Sequence, residues 1–321
     1  MVMSNLIKLD TSVNISKLKL KNPVLTASGT FGYANEYDDF MNVGNIGAIV
    51  TKGITLNPRT GNPQPRIKEL KNGLINSIGL ENIGIHNFIE KKLPVLRENN
   101  INFIINIAGE SIKEYVELAK ICQSNNIEAV ELNLSCPNVK SGCLEFGKDE
   151  ETLYKLVSEV RNCFNNTLIV KLSSNVSFPE KIAKTAENAG ADAISAINTV
   201  KAMHVEVKIA ASGLSPARND NAIFEYIKGG LSGSCIKPLA LNFIYEIRQH
   251  VSIPIIGMGG ISCFQDMLEF FAVGADAIQV GTANFTHPDL SEALVSELNN
   301  FMKQQNYESL AELVKDLRYE Y

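Results

Sequence analysis

No C-x-x-C pair occurs among the six cysteines of this 321-residue chain. Cys122, Cys136, Cys143, Cys163, Cys235 and Cys263 are scattered, which speaks against an iron–sulfur cluster or zinc site carried on this chain. Free thiols at such spacing fit a reducing cytoplasm. The apolar runs are short: residues 251–258 fall far below the length that crosses a bilayer. The N-terminus lacks a charged stretch followed by an apolar stretch and a cleavage site, so no export signal is expected. No basic block stands out and the net charge is −5, which makes nucleic acid an unexpected partner. No G-x-G-x-x-G fingerprint lies at a strand–helix junction, so direct dinucleotide binding has no support.

What is present is a chain that is 45% hydrophobic, enough for a sizeable core. Short apolar runs recur at residues 22–29, 47–53, 103–108, 131–135, 168–172, 193–199, 253–260 and 277–282. Val, Ile and Leu fill them with little polar alternation, as strands buried on both faces require. Helical periodicity separates most of them, at 85–99, 112–124, 150–164, 179–190 and 238–250. Ser262 and Gln265 form a capping-box pattern for a helix ending at Gly274, and the tail 289–321 is helical in pattern. Residues 73–82 read as a compact loop with exposed amides, and 200–235 as the least regular part. One junction repeats: residues 189–194 (Ala-Gly-Ala-Asp-Ala-Ile) resemble residues 273–278 (Val-Gly-Ala-Asp-Ala-Ile). Eight strand–helix units imply right-handed βαβ connections and an α/β fold, a (β/α)8 TIM barrel, as one domain over residues 1–321 with inserted loops at the C-terminal face.

The active site of such a barrel lies at the C-terminal strand ends. Those ends carry Ser28, Lys52, Asn106, Asn133 with Cys136, Lys171, Asn198 with Thr199, Gly259-Gly260 and Gly281-Thr282. Any one is explained as a rim residue meeting water; eight together are not. Pro137 stops the Glu131–Ser135 strand, so Cys136 sits where a thiol serves as base or nucleophile, or else as a buried, inert cysteine. Lys52 is either a snorkelling rim side chain or a cation aimed into the site. The last two strands end in Gly-rich turns before helical segments, which suits a phosphate. Lys171 beside an electron-accepting ring, Lys52 opposite a carboxylate and a cysteine base together read as a flavin mononucleotide oxidoreductase.

These segments resemble the class 1B dihydroorotate dehydrogenase catalytic subunit. The resemblance rests on Thr26-Ala27-Ser28-Gly29-Thr30-Phe31-Gly32, Thr51-Lys52-Gly53, Gly61-Asn62-Pro63-Gln64-Pro65-Arg66, Asn76-Ser77-Ile78-Gly79-Leu80, Asn133-Leu134-Ser135-Cys136-Pro137-Asn138, Gly229-Gly230-Leu231-Ser232-Gly233 and the glycine turns. It implies oxidation of dihydroorotate to orotate in pyrimidine synthesis, with Cys136 as base and hydride passing to FMN. By position, FMN would contact Ser28, Lys52, Gly53, Asn106, Asn133, Lys171, Ile197, Gly233, Gly259, Gly260, Gly281 and Thr282. Substrate would contact Lys52, Asn76, Ser77, Ile78, Gly79, Leu80, Asn133, Asn198 and Thr199, with Asn138 as a further contact. The class also implies a partner subunit holding FAD and a 2Fe–2S cluster, NAD+ as final acceptor, a heterotetramer of two subunits of each kind, and a cytoplasmic location without membrane.

Three places depart from the family pattern: Lys201-Ala202-Met203 after Asn198-Thr199, a longer stretch from Lys208 to Lys228, and Cys235 in place of a small residue. The sequence also admits a fumarate-using class 1A-like enzyme, a flavin barrel acting on dihydrouracil-type rings, and a non-catalytic barrel that binds a phosphate compound.

Overall fold

The structure is a computed structural model that describes residues 9–33, 35–37, 39–134, 147, 149–207 and 224–318. Cys136, Asn138 and Cys143 therefore lie outside the described residues, as do residues 208–223.

Eight parallel strands close into a barrel: β1 (Val24–Thr26), β2 (Ala48–Val50), β3 (Phe103–Ile107), β4 (Ala129–Asn133), β5 (Thr167–Lys171), β6 (Ala193–Ala196), β7 (Ile255–Met258) and β8 (Ala277–Val280). Each pairs with its neighbours in chain order, and β8 returns to β1 through Ile278–Val24. This is the (β/α)8 TIM barrel expected from the eight apolar runs. Period-two alternation explains the composition. Val24, Ile49, Ile105, Val130, Leu168, Ile194 and Ile278 face the surrounding helices. Leu25, Val50, Ile104, Ala129, Ile169, Ala193, Ile256 and Ala277 fill the barrel interior. The N-terminal end is plugged by a hairpin, Val13–Ile15 with Leu18–Leu20, whose Ile15, Leu18 and Leu20 join that inner cluster.

The repeated Gly-Ala-Asp junction is a structural clamp. Asp192 accepts from Arg161 at 2.8 Å and from the Leu168 N–H at 2.8 Å. Asp276 accepts from Arg248 at 3.2 Å and from the Ile255 N–H at 2.8 Å. Each arginine also caps carbonyls of the loop ahead of a strand: Arg248 donates to Val251 and Ile253, Arg161 to Phe164 and Asn166. Gly190 and Gly274 leave room for the arginine stems; a Cβ on Gly274 would stand 2.5 Å from Arg248 Cγ. The repeat ties two helix–strand units together at the end of the barrel away from the site.

Four local expectations change. The 85–99 helix is two helices, Ile85–Lys91 and Leu93–Glu98, because Pro94 opens the second. The cap of the Phe264–Ala272 helix is made by Asp266, not Gln265; its carboxylate accepts from Ser262 and from the Cys263 N–H. Residues 73–76 are a strand rather than a loop. The 200–235 segment is not irregular throughout: Val200–Val207 and Phe224–Ser232 pair with each other, and the second pairs with Gly73–Asn76. With Ile67–Leu70 they make a four-stranded antiparallel sheet attached at the C-terminal face of the barrel.

Candidate active site

A cavity of about 1440 Å³ opens at the C-terminal mouth of the barrel. That exceeds the roughly 300–1,000 Å³ typical of a site for one small molecule. Its wall is drawn from strand ends that are far apart in sequence. Ser28 follows β1, Lys52 and Gly53 follow β2, Asn133 ends β4 and Lys171 ends β5; Ile197, Asn198 and Thr199 follow β6. Gly259 and Gly260 follow β7, and Gly281 with Thr282 follows β8. Gly233 and the segment Asn76, Ser77, Ile78, Gly79 and Leu80 come from the added sheet and its loop. Asn106 is the one described exception among the expected contacts. It is fully buried and sits beneath the wall, one step below Asn133. Cys136 lies outside the described residues.

The polar side chains form a directed chain. Asn198 Nδ2 donates to Asn133 Oδ1 at 3.2 Å, and Asn133 Nδ2 donates to Asn106 Oδ1 at 3.3 Å. Asn106 Nδ2 donates to Glu131 Oε1 at 2.6 Å. The Tyr115 hydroxyl holds the Asn133 carbonyl at 2.6 Å, and Asn198 Oδ1 accepts the Thr199 N–H at 2.8 Å. Lys171 Nζ is 3.7 Å from Glu131 Oε1, with both side chains nearly sealed from solvent. Glu131 was missed as a site residue. A single acid inside the apolar run Ala129–Asn133 was the signal for it.

The loop over the mouth is held from outside. Asn62 donates to the Ser77 carbonyl at 2.9 Å and hydroxyl at 3.1 Å, and its N–H donates to the Ile78 carbonyl at 2.9 Å. The Asn82 side chain binds the Thr55 and Gly84 N–H groups and the Leu80 carbonyl. Glu81 pairs with Arg66 and stands 3.9 Å from Lys52. Sequence reasoning also missed Asn62, Arg66 and Glu81 as supports of the loop, because their partners are set by the fold.

At the opposite side of the mouth, Gly233, Gly259 and Gly260 have φ of +99°, +122° and +88°. Gly259 and Gly260 crowd against the start of the Lys237–Arg248 helix, and Gly233 against Gly73; a Cβ on Gly260 would lie 2.9 Å from the Lys237 N and 3.0 Å from the Gly233 O. Only glycine lets three backbone segments meet so closely, which is how main-chain N–H groups approach a phosphate. The nearby Lys237 ammonium is already paired, at 2.5 Å to Asp266 and 2.8 Å to Glu269, and the hydrogen bonds it donates to those two carboxylates push its pKa up. Thr282 donates to the Ser232 hydroxyl at 2.8 Å and closes the cradle. A buried cation, amide side chains and a glycine cradle on one wall are the donor set that a phosphate-bearing, electron-accepting ring needs. Of the described cysteines, Cys122 is pushed up to about 12 by burial, and burial also raises Cys163. Both are therefore poor bases or nucleophiles.

A profile of the dihydroorotate dehydrogenase family matches residues 10–302. The chain is 43% identical over 310 residues to the dihydroorotate dehydrogenase B (NAD(+)) catalytic subunit of Thermoanaerobacter pseudethanolicus, covering 97% of this chain and 99% of that protein. It is 42% identical over 306 residues to the protein of the same name from Bacteroides thetaiotaomicron, covering 95% and 98%. Against the one from Carboxydothermus hydrogenoformans the figure is 46% over 306 residues, covering 95% and 96%.

Proposed function

The chain belongs to the dihydroorotate dehydrogenase family, and we propose that it is the catalytic subunit of an NAD+-linked enzyme oxidising dihydroorotate to orotate in pyrimidine biosynthesis, with residues 1–321 as one catalytic unit. One observation carries the residue assignment: Lys171, Asn133, Asn198 and the Gly259/Gly281 turns line a single cavity. FMN, when bound there, supplies the two-electron acceptor.

The chain's own residues then divide the work. The turns at Gly233, Gly259, Gly260, Gly281 and Thr282 take the phosphate, with Ile197 and Ser28 along the wall. Lys171 sets a positive charge beside the ring edge, where negative charge develops on reduction. Gly53 keeps the floor open, since a Cβ there would meet Asn106 Oδ1 at 3.0 Å and Asn133 Nδ2 at 3.9 Å. Lys52 offers a cation to the substrate carboxylate. The 76–80 loop, Asn133, Asn198 and Thr199 offer amide and hydroxyl partners to a planar imide. Cys136, three positions after Asn133, takes the ring proton.

The relatives are named catalytic subunits, which supports a partner. We assign it FAD and a 2Fe–2S cluster, two copies of each subunit, and a cytoplasmic location; no described helix is long and apolar enough to cross a membrane. The purified chain is expected to be yellow, and dihydroorotate should bleach it. Cys136→Ala should keep flavin and lose bleaching. Bleaching by that variant at the wild-type rate removes Cys136 from its role. A chain that neither carries nor takes up FMN overturns the flavin assignment. Turnover with fumarate by the chain alone transfers the acceptor assignment to the fumarate-using class.

A further inference from the structure

Apart from Asn106, the described residues assigned to ligands line the cavity; Glu131 does not. It is fully buried on β4, pointing into the barrel between the apolar tier below and the mouth above. Donors reach its two oxygens from four other strands. Asn106 (β3) binds Oε1 at 2.6 Å, with Lys171 (β5) at 3.7 Å from the same atom. Ser195 (β6) and Gln279 (β8) bind Oε2 at 2.7 Å and 3.0 Å.

A carboxylate sealed in an apolar interior is costly, and well-packed hydrophobic residues replace buried ion pairs at little or no loss of stability. Burial alone gives no reason for an acid here. We propose that Glu131 is a positioning residue for the reaction: it fixes the direction of the Asn106–Asn133–Asn198 amide chain and sets the charge that Lys171 presents to the flavin. This rests on FMN occupying the cavity as proposed above.

The first half follows from donor and acceptor identity. A carboxylate only accepts, so Asn106 must turn its Nδ2 toward Glu131. Its Oδ1 is then committed to Asn133 Nδ2, and Asn133 Oδ1 to Asn198 Nδ2. Reversing any one amide sets two donors or two acceptors face to face. The carboxylate at the bottom thus decides which atoms Asn133 and Asn198 turn to a ligand at the top. The second half is electrostatic. In a low-dielectric interior the negative charge 3.7 Å from Lys171 offsets part of its field, and charge beside a flavin ring tunes its potential.

The test uses the full-length chain loaded with FMN, and reads the flavin midpoint potential together with the melting temperature. Glu131→Gln keeps the shape and an acceptor oxygen but drops the charge. It should bind FMN and shift the oxidised-to-reduced equilibrium toward reduced flavin at least tenfold, about 30 mV for a two-electron couple. In a Lys171→Met background the same substitution should shift it by a smaller factor, because the ammonium that Glu131 offsets is gone. Ser195→Ala removes a donor from the carboxylate and should move the potential the other way by a smaller factor. If Glu131→Gln fails to fold, Ser195→Ala decides: a wild-type potential there overturns the proposal. A Glu131→Gln protein that melts lower yet keeps the wild-type potential also overturns it, leaving Glu131 as a core spacer. A wild-type chain that takes up no FMN fails the flavin assignment instead, and the two failures are distinct.

Discussion

Asn198 donates its side-chain amide to Asn133 Oδ1, 3.2 Å away, joining the end of β6 to the end of β4 at the mouth of the barrel. Neither residue reaches the other through sequence or strand pairing, since β5 lies between their strands. The contact places two amides on one wall, with their polarity fixed from below. Asn198→Ala removes the ligand contact proposed for it and leaves Asn133 Oδ1 without this donor. Two hydrogen bonds at roughly 1–1.5 kcal/mol each predict a loss in kcat/KM of about 100-fold. Flavin absorbance should persist, because the glycine cradle is untouched. Steady-state kinetics on flavin-loaded protein checks this.

Lys171 and Glu131 are a buried pair, and breaking one half exposes the other to an apolar interior. Lys171→Met should destabilise the chain by about 3–5 kcal/mol. The Lys171→Met, Glu131→Gln double variant should recover part of that loss. Urea unfolding of the single and double variants gives the answer, and a double variant no more stable than Lys171→Met would contradict it.

Asp276 holds Arg248, Arg318 at 2.9 Å and the Ile255 N–H, all at the N-terminal end of the barrel. Asp276→Ala should cost about 2–3 kcal/mol, since three donors lose a partly buried acceptor. Turnover per bound flavin should stay at the wild-type level, because the clamp lies at the far end from the cavity. Calorimetry and kinetics on one preparation separate the two effects.

Glu187 joins the Pro179–Asn188 helix to the loop before β7, accepting from the Ser252 N–H and hydroxyl, the Ile253 N–H and Lys184. Burial pushes its carboxyl up, but these donors outweigh it and hold the group down to about 2. A depressed folded-state pKa gives stability that is present above the ordinary carboxylate range. It is lost as pH falls from about 4.5 toward 2. Glu187→Gln should therefore be less stable than wild type at pH 6, with the gap closing as pH falls to 3. Melting temperatures across that range test the sign.

The barrel was readable because a strand buried on both faces must be apolar throughout, and eight such runs leave no other architecture of this size. Strand-end residues were readable for the same reason: Lys52, Asn133, Lys171 and Asn198 interrupt or end runs that are otherwise greasy. The added sheet was not. Gly229 and Gly230 read as loop signals, yet they sit inside a strand. A Cβ on Gly229 would run into the Asn76 carbonyl, and one on Gly230 into the Thr199 side chain. Their partners lie some 150 and 30 positions away, so no local pattern shows the need.

By itself the sequence determined which side chains are apolar, where strands must stop, and which end of the barrel carries chemistry. Those features follow from hydrophobic period, proline and glycine geometry, which act within a few residues. Only the tertiary structure decided that Glu131 meets Asn106, Lys171, Ser195 and Gln279, and that Asn62 and Arg66 brace the loop over the mouth. Strand tilt and closure bring those groups together, and inward-pointing polar atoms sealed from solvent must then find their partners among one another.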